Sequence, residues 1–219
     1  FVGERKGEKY NVKNFTGLFH YSKKEIRVDN LNLKTDDSTL NGHLLLSYDK
    51  PSDMSDFNNK VFWNVMFDRG SAVNFKDIRY FTDQFNNNST AQVYGKVIGT
   101  LNNLNFQNFE IQGGGTYIGA NQLVLTDMMN GSLKLRTKNA KVSTSYNNLT
   151  SFLPTFIAKK IPSFITRFGS MNYRGDLTLD PSSIQIDGYA VTGLGDADVT
   201  AKLRNYSSPK TMTYAGTLD

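Results

Sequence analysis

The residues of this chain most able to do chemistry are two histidines, His20 and His43, within a sequence that contains no cysteine. Neither histidine has another His or a carboxylate at the spacing that metal ligands require, so we expect both to be ordinary side chains of strands. The absence of Cys excludes disulfides, thiolate zinc ligands and thiol catalysis. The sequence also lacks the G-x-S-x-G, P-loop and H-E-x-x-H motifs. We therefore predict a protein that is not an enzyme and needs no metal or cofactor.

Three other clusters resemble sites but lack the residues that would complete them. Gly113-Gly-Gly115 has the composition of a phosphate cradle, yet no helical pattern follows it, so a tight turn or bulge is predicted. Residues 193–198 resemble part of a calcium loop but lack its remaining oxygen ligands and its closing Glu. Nothing places the adjacent Asp36 and Asp37 around a cleft as an acid and a base.

The elements that would position any site are strands, because apolar and polar residues alternate through most of the chain from Leu40 onward. This alternation is typical of sheets with one apolar and one wet face. Short turn signals separate the runs and predict an antiparallel meander. They are Asn41-Gly42, Asn102-Asn103, Asn130-Gly131, residues 180–183 and residues 205–209. The apolar positions selected in this way are Leu44, Leu46, Val61, Trp63, Val65, Phe67, Val93, Val97, Leu104, Phe106, Leu123, Leu125, Leu133, Leu135, Leu177, Leu179, Ile184, Ile186, Val199 and Leu203.

Two segments, residues 74–85 and 148–168, depart from the alternation and carry apolar residues at helical spacing. Pro154 and Pro162 divide the second segment into two or three short helical pieces, because proline interrupts the helical hydrogen-bond ladder. We expect this second segment to form a lid on the open side of the sheet. The alternative is a helix on a membrane surface. The lid would be formed by Phe156, Ile157, Phe164 and Ile165, whereas the membrane alternative would use Lys159, Lys160 and Arg167.

Composition narrows the class of protein further. Hydrophobic residues make up 38% of the chain, which is enough for a core, and the net charge is +5. The cations are scattered among the acids, so nucleic-acid binding is not expected. No stretch resembles a signal peptide or a transmembrane helix. The chain lacks an initiating Met and ends in a strand-like pattern, so we expect a segment of a longer protein. Any subdivision of this segment is expected near residues 146–170.

Several stretches resemble the TamB family, within the wider AsmA-like group of bridge-like proteins. Residues 93–104, Val-Tyr-Gly-Lys-Val-Ile-Gly-Thr-Leu-Asn-Asn-Leu, are similar to the family's V-x-G-x-V-x-G-T-x-x-x-L strand pair. Residues 168–195 are similar to its glycine-punctuated strands, and residues 149–162 to its short helical insert. The resemblance covers about the last two-thirds of the chain, and the first sixty residues match only in their strand-like style.

The resemblance implies an all-β fold in which an elongated antiparallel sheet is folded lengthwise into an open apolar groove, a β-taco. The apolar positions given above would line that groove and contact phospholipid acyl chains. It further implies a periplasmic segment of the translocation and assembly module, anchored in the inner membrane by a segment outside this chain. That module acts in outer-membrane biogenesis with an Omp85-type barrel that is TamA-like, by moving phospholipid or by assisting outer-membrane protein assembly.

Two alternatives to the lipid-carrying groove remain open from the sequence. One is a structural or chaperone rod that holds nascent β-strands by strand addition on their way to the barrel. The other is a self-contained β-sandwich that acts as a binding module.

Overall fold

A computed structural model of the protein describes residues 2–5, 7–128, 131–206, 208 and 210–219. The strands of this described part all belong to one antiparallel sheet and follow one another in sequence order. The predicted all-β fold, with an elongated antiparallel sheet, is confirmed. The strands are β1 (Val2–Arg5), β2 (Glu8–Tyr21), β3 (Glu25–Thr35), β4 (Thr39–Ser47), β5 (Phe62–Asn74), β6 (Thr90–Thr100), β7 (Asn103–Gly113), β8 (Thr116–Thr126), β9 (Lys134–Lys138), β10 (Ala140–Ser145), β11 (Ser170–Asp180), β12 (Ser183–Thr192), β13 (Gly195–Arg204) and β14 (Thr213–Leu218).

Strands β9 and β10 are two halves of one interrupted strand. Both halves pair with β8 on one side and with β11 on the other. Between them, Asn139 adopts a positive φ of 51°. The sheet therefore has 13 successive positions along its path. At ~4.8 Å between neighbouring strands, those positions span about 58 Å.

A line of β-bulges crosses the sheet near the middle of its strands, and we call this line the crease. Register shifts interrupt each of the five strand pairs from β2–β3 to β6–β7. A bulge bends its strand and increases the local twist, so aligned bulges fold the sheet along its length. Residues with positive φ that mark the crease are Asn30, Gly42, Gly70, Gly95, Asn108, Asn139 and Gly175.

Gly95 illustrates why the crease requires particular residues. Its φ is +116°, and a Cβ at this position would lie 2.6 Å from the carbonyl oxygen of Asn108 and 2.8 Å from Phe109 Cα. The neighbouring backbone therefore leaves no room for a side chain. Above the crease, the apolar side chains of the two halves meet, as in the Phe106 and Phe109 rings, whose centroids are 4.8 Å apart.

The predicted turn at Asn41-Gly42 is wrong, because both residues lie inside β4. The turn between β3 and β4 is instead closed by a hydrogen bond of 3.0 Å from Thr35 N to Ser38 O. Bulges and hairpin turns both favour Asn and Gly, and this shared preference explains the error. The turns predicted at residues 102–103, 113–115 and 180–183 lie where expected. Those at Asn130-Gly131 and residues 205–209 include positions outside the described residues.

Short helical segments connect some strands at their ends. The predicted division of residues 148–168 is confirmed, since Pro154 and Pro162 stand immediately before separate helical pieces. The structure also has a helical connection over residues 51–60, which was not predicted from the sequence. The segments are the 3₁₀ helix η1 (Pro51–Asp56), α1 (Phe57–Lys60), α2 (Phe75–Arg79), α3 (Tyr146–Phe152), α4 (Thr155–Ala158) and the 3₁₀ helix η2 (Ser163–Phe168). Among the described residues, no helix has the length and apolar character needed to cross a bilayer.

Candidate functional site

Strand register places most of the predicted apolar positions on one face of the sheet, in two rows that run across the strands. The row nearer the crease contains Val28, Leu44, Val65, Val97, Phe106, Leu123, Thr137, Leu177, Ile186 and Ala201. The outer row contains Ile26, Leu46, Trp63, Gly99, Leu104, Leu125, Leu135, Leu179, Ile184, Leu203 and Tyr214. We call these the two apolar rows.

The remaining predicted positions divide into two groups. Phe67, Val93 and Val199 share the apolar face but lie close to the crease or beyond it. Val61 and Leu133 precede their strands and are only 0% and 4% exposed. These two side chains are packed inside the fold, so they contribute to its core and are closed to a ligand.

A third apolar row lies on the far side of the crease, and of the groove positions selected from the sequence it contains only Val93. Each bulge shifts the alternation by one residue, so counting by twos loses the correct phase beyond it. Asn108, with a φ of 44°, has this effect and leaves Phe106 and Phe109 on one face although they are three residues apart. The sequence feature that could have indicated these bulges is an Asn or Gly in the middle of an alternating run. The missed side chains are Leu33, Leu40, Ile111, Ile118, Val142 and Tyr173.

The apolar face is half-buried over most of both rows, with a few fully buried positions in its middle strands, and it is most exposed at its two ends. Val65 and Val97 are 5% and 6% exposed. Ile186 and Leu203 are only half-buried, and Tyr214 is 83% exposed. The whole chain exposes 12572 Å², about a quarter more than the roughly 10,100 Å² expected for a compact monomer of its mass. The accessible parts of the groove are therefore β11 to β14 and the β2 edge, where Phe19 and Tyr21 are each 63% exposed.

The predicted lid segment packs mainly at the ends of the strands. Its anchor is Phe152, which is 3% exposed and lies 5.4 Å from the Phe75 ring, centroid to centroid. The Thr155 amide also donates to the Gln84 carbonyl at 2.9 Å. Residues 75–89 and 146–168 thus form one unit, which we call the end cap.

The four side chains predicted to form the lid are less buried than this anchor. Phe156, Ile157 and Ile165 are half-buried, and Phe164 is 42% exposed. The buried aromatic cluster of the end cap contains Phe152 and none of these four. Enclosure of the open groove by the four side chains therefore stays a prediction.

Tyr173 closes the crease at β11. Its hydroxyl donates to the carbonyl oxygen of Asp176 at 2.6 Å and lies 3.1 Å from that of Asp187. Burial raises the pKa of the Tyr173 phenol to about 12. The hydroxyl occupies the space that a Cβ at Gly175 would need, 2.7 Å away, so this tyrosine fills the gap left by the crease glycines.

The polar face brings a carboxylate to each histidine, which sequence spacing did not indicate. His43 Nδ1 lies 2.6 Å from Asp29 Oδ1, and His20 Nε2 lies 3.5 Å from Glu25 Oε1. Within the described part of the chain, no hydrogen bond links His43 Nε2 to a hydroxyl, so the pair lacks the nucleophile of an acyl-transfer site. The described residues also contain no group of three or more His, Cys, Asp or Glu able to hold a metal ion.

Comparisons with known proteins find no relative of this chain: no family model, no curated protein and no solved structure matches it. The apolar face and its accessibility are therefore the features of the chain that bear on its function.

Proposed function

We propose that this chain binds the acyl chains of phospholipid along the open apolar face of its sheet, and that it acts without catalysis. The observation that carries the proposal is the continuity of the two apolar rows, which stay half-exposed over β11 to β13. An apolar sheet face must be buried against a second layer, against itself or against a ligand. Over β11 to β14, the described residues provide little such cover, and a lipid chain supplies it.

The dimensions of the two rows suit an acyl chain. Residues two apart on a strand are separated by ~7 Å, and neighbouring strands by ~4.8 Å. A chain lying across the strands between the rows therefore contacts apolar side chains at regular short intervals. Burial of each methylene contributes about 0.8 kcal/mol, and this attraction has no preferred direction. Lipid is thus held while remaining free to slide along the groove.

We extend this proposal to the setting implied by the TamB-like sequence pattern. In that setting, the chain is a periplasmic segment of a longer protein anchored in the inner membrane, and it carries phospholipid toward the outer membrane together with an Omp85-type barrel. The direction of the apolar rows supports the extension. They run perpendicular to the strands, which is the direction in which further strands would lengthen a groove.

The test compares two neighbouring residues of β12, Ile186 and Gln185. Ile186→Lys places a charge among the apolar rows, whereas Gln185→Lys places the same charge on the exposed opposite face. We expect Ile186→Lys to lose most of its co-purifying phospholipid, measured by mass spectrometry of lipid extracts, because a charge in an apolar groove must keep its water. Gln185→Lys should retain the wild-type amount. Equal lipid yields from the three folded proteins would contradict the proposal.

A second function, capture of an unfolded outer-membrane protein by strand addition, is favoured by the edge of β2. Strand β1 pairs only with residues 8–11 of β2, so among the described strands residues 13–21 have a neighbour on one side only. Phe19 on this edge is 63% exposed. Ser22 N donates to Glu25 O at 2.9 Å, so these two opposed residues form a hydrogen-bonded pair. Because bonded and non-bonded pairs alternate along antiparallel strands, Phe19, three residues earlier, belongs to a non-bonded pair and its N–H points away from β3. An added strand can use such outward groups.

The strand-addition function has its own test at the same residue. Proline is tolerated at an edge position whose N–H faces outward, so Phe19→Pro should remove the donor and keep the sheet. We expect it to reduce pull-down of an unfolded outer-membrane protein, while Phe19→Val retains it. Equal capture by both variants would exclude strand addition at this edge.

A further inference from the structure

Positive charge is concentrated in one continuous segment, residues 128–175. The chain contains 25 Lys and Arg and 20 Asp and Glu, and this segment holds eight of the cations and none of the acids. The segment therefore carries +8, and the rest of the chain carries −3. Its cations are Lys134, Arg136, Lys138, Lys141, Lys159, Lys160, Arg167 and Arg174.

Two of these cations face each other directly. Lys141 on β10 and Arg174 on β11 are cross-strand partners, and like charges in that arrangement destabilise a sheet. Their next partners on either side are Gly119 and Tyr189, neither of which is acidic. Within the described part of the chain, neither cation has an ion-pair partner. An anionic partner bound beside both cations would be attracted to each of them and would offset their mutual repulsion.

Three more cations lie on the end cap, next to exposed apolar side chains. Lys159, Lys160 and Arg167 are all exposed and, among the described residues, form no ion pair. Phe164 is 42% exposed, and Leu194, in the turn between β12 and β13, is 73% exposed. Phe164 is flanked in sequence by these unpaired cations, and this combination is typical of a surface that enters the interface of an anionic bilayer.

The turn between β12 and β13 belongs to the same end of the molecule as the end cap. The Gly193 amide donates to the Phe168 carbonyl at 2.8 Å, which holds Leu194 beside the end of η2. Strand register agrees, because Ser145 pairs with Ser170 at this end of the sheet. The apolar groups and the cations therefore lie on one end of the strands, which also carries the exposed Asp196 and Asp198 at the start of β13.

We propose that this end of the molecule docks on the surface of an anionic lipid bilayer. Phe164 and Leu194 enter the headgroup region, while Lys159, Lys160 and Arg167 contact lipid phosphates. Exposed aliphatic and aromatic groups favour a bilayer over a nucleic acid, which would be held by the cations alone. This docking depends on charge and exposure at the strand ends and does not require acyl chains in the groove.

The test uses the 219-residue chain and two triple variants that remove equal charge from opposite ends of the strands. The first is Lys159→Gln with Lys160→Gln and Arg167→Gln. The matched control is Lys23→Gln with Lys24→Gln and Lys50→Gln, all exposed and located at the other end of the sheet. Binding is measured by co-sedimentation with vesicles of phosphatidylglycerol and phosphatidylcholine, and with vesicles of phosphatidylcholine alone.

The wild type is expected to bind the anionic vesicles and not the zwitterionic ones. Each removed charge should weaken binding about fivefold, so the end-cap variant should lose about a hundredfold, and the control should stay near wild type. Leu194→Ser should weaken vesicle binding at unchanged net charge. Equal losses in the two triple variants, or no vesicle binding by the wild type, would overturn the proposal. So would tighter binding to duplex DNA that falls with the end-cap variant and is insensitive to Leu194→Ser.

Discussion

Replacing Phe152 by Ala should be among the most destabilising single changes at the end cap. The side chain is only 3% exposed and belongs to the cluster with Phe75 and Ala91. Its Cε2 atom lies 3.1 Å from where a Cβ on Gly113 would be, so the ring also fills space against the β7–β8 turn. Losing the transfer free energy of a buried Phe removes about 2 to 3 kcal/mol. The cavity left behind brings the expected total to about 3 to 5 kcal/mol.

The matched control is Phe164→Ala, which removes the same ring from the same insert. Because Phe164 is 42% exposed, its loss should lower the free energy of unfolding by less than about 1 kcal/mol. Both variants would be unfolded in urea and followed by far-ultraviolet circular dichroism. A difference between them of less than about 1 kcal/mol would refute the assignment of Phe152 as the anchor of the end cap.

Three further outcomes are expected. Gly95→Ala should lower the free energy of unfolding by more than Gly195→Ala, measured in urea, because both glycines have positive φ but only Gly95 meets neighbouring backbone. The pKa of the Tyr173 phenol is about 12 in the folded protein, compared with an ordinary value of 10.0. Its contribution to stability is therefore complete below pH 10 and is lost toward pH 12. Across that window, the free energy of unfolding of the wild type should fall more steeply than that of Tyr173→Phe. Lys141→Glu should raise the melting temperature in the absence of lipid, because it replaces repulsion from Arg174 with attraction.

Alternation in the sequence was enough to predict the sheet and the two apolar rows, because the period of two is unbroken between a strand end and the crease. Beyond the crease the prediction failed, as at Asn41-Gly42, where a bulge has the composition of a turn. The helical spacing of the apolar residues in segment 148–168 was also evident from the sequence. It did not identify Phe152 as the anchor, because all aromatics on the stripe have the same spacing. Its partner Phe75 is distant in sequence and is brought near only by the sheet.

The sequential order of the strands has a consequence for how the molecule folds. Apart from the half-strands β9 and β10, which share the neighbours β8 and β11, each described strand pairs only with the strand before it and the strand after it. The stabilising contacts therefore resemble those of a linear array of repeats. In such an array, folding can begin at any hairpin and spread in both directions, and opening begins at the ends. Loss of β14 would leave the pairing of β1 to β12 unchanged. By the same reasoning, this architecture can gain or lose whole hairpins during evolution and change the length of its groove without rearranging the rest.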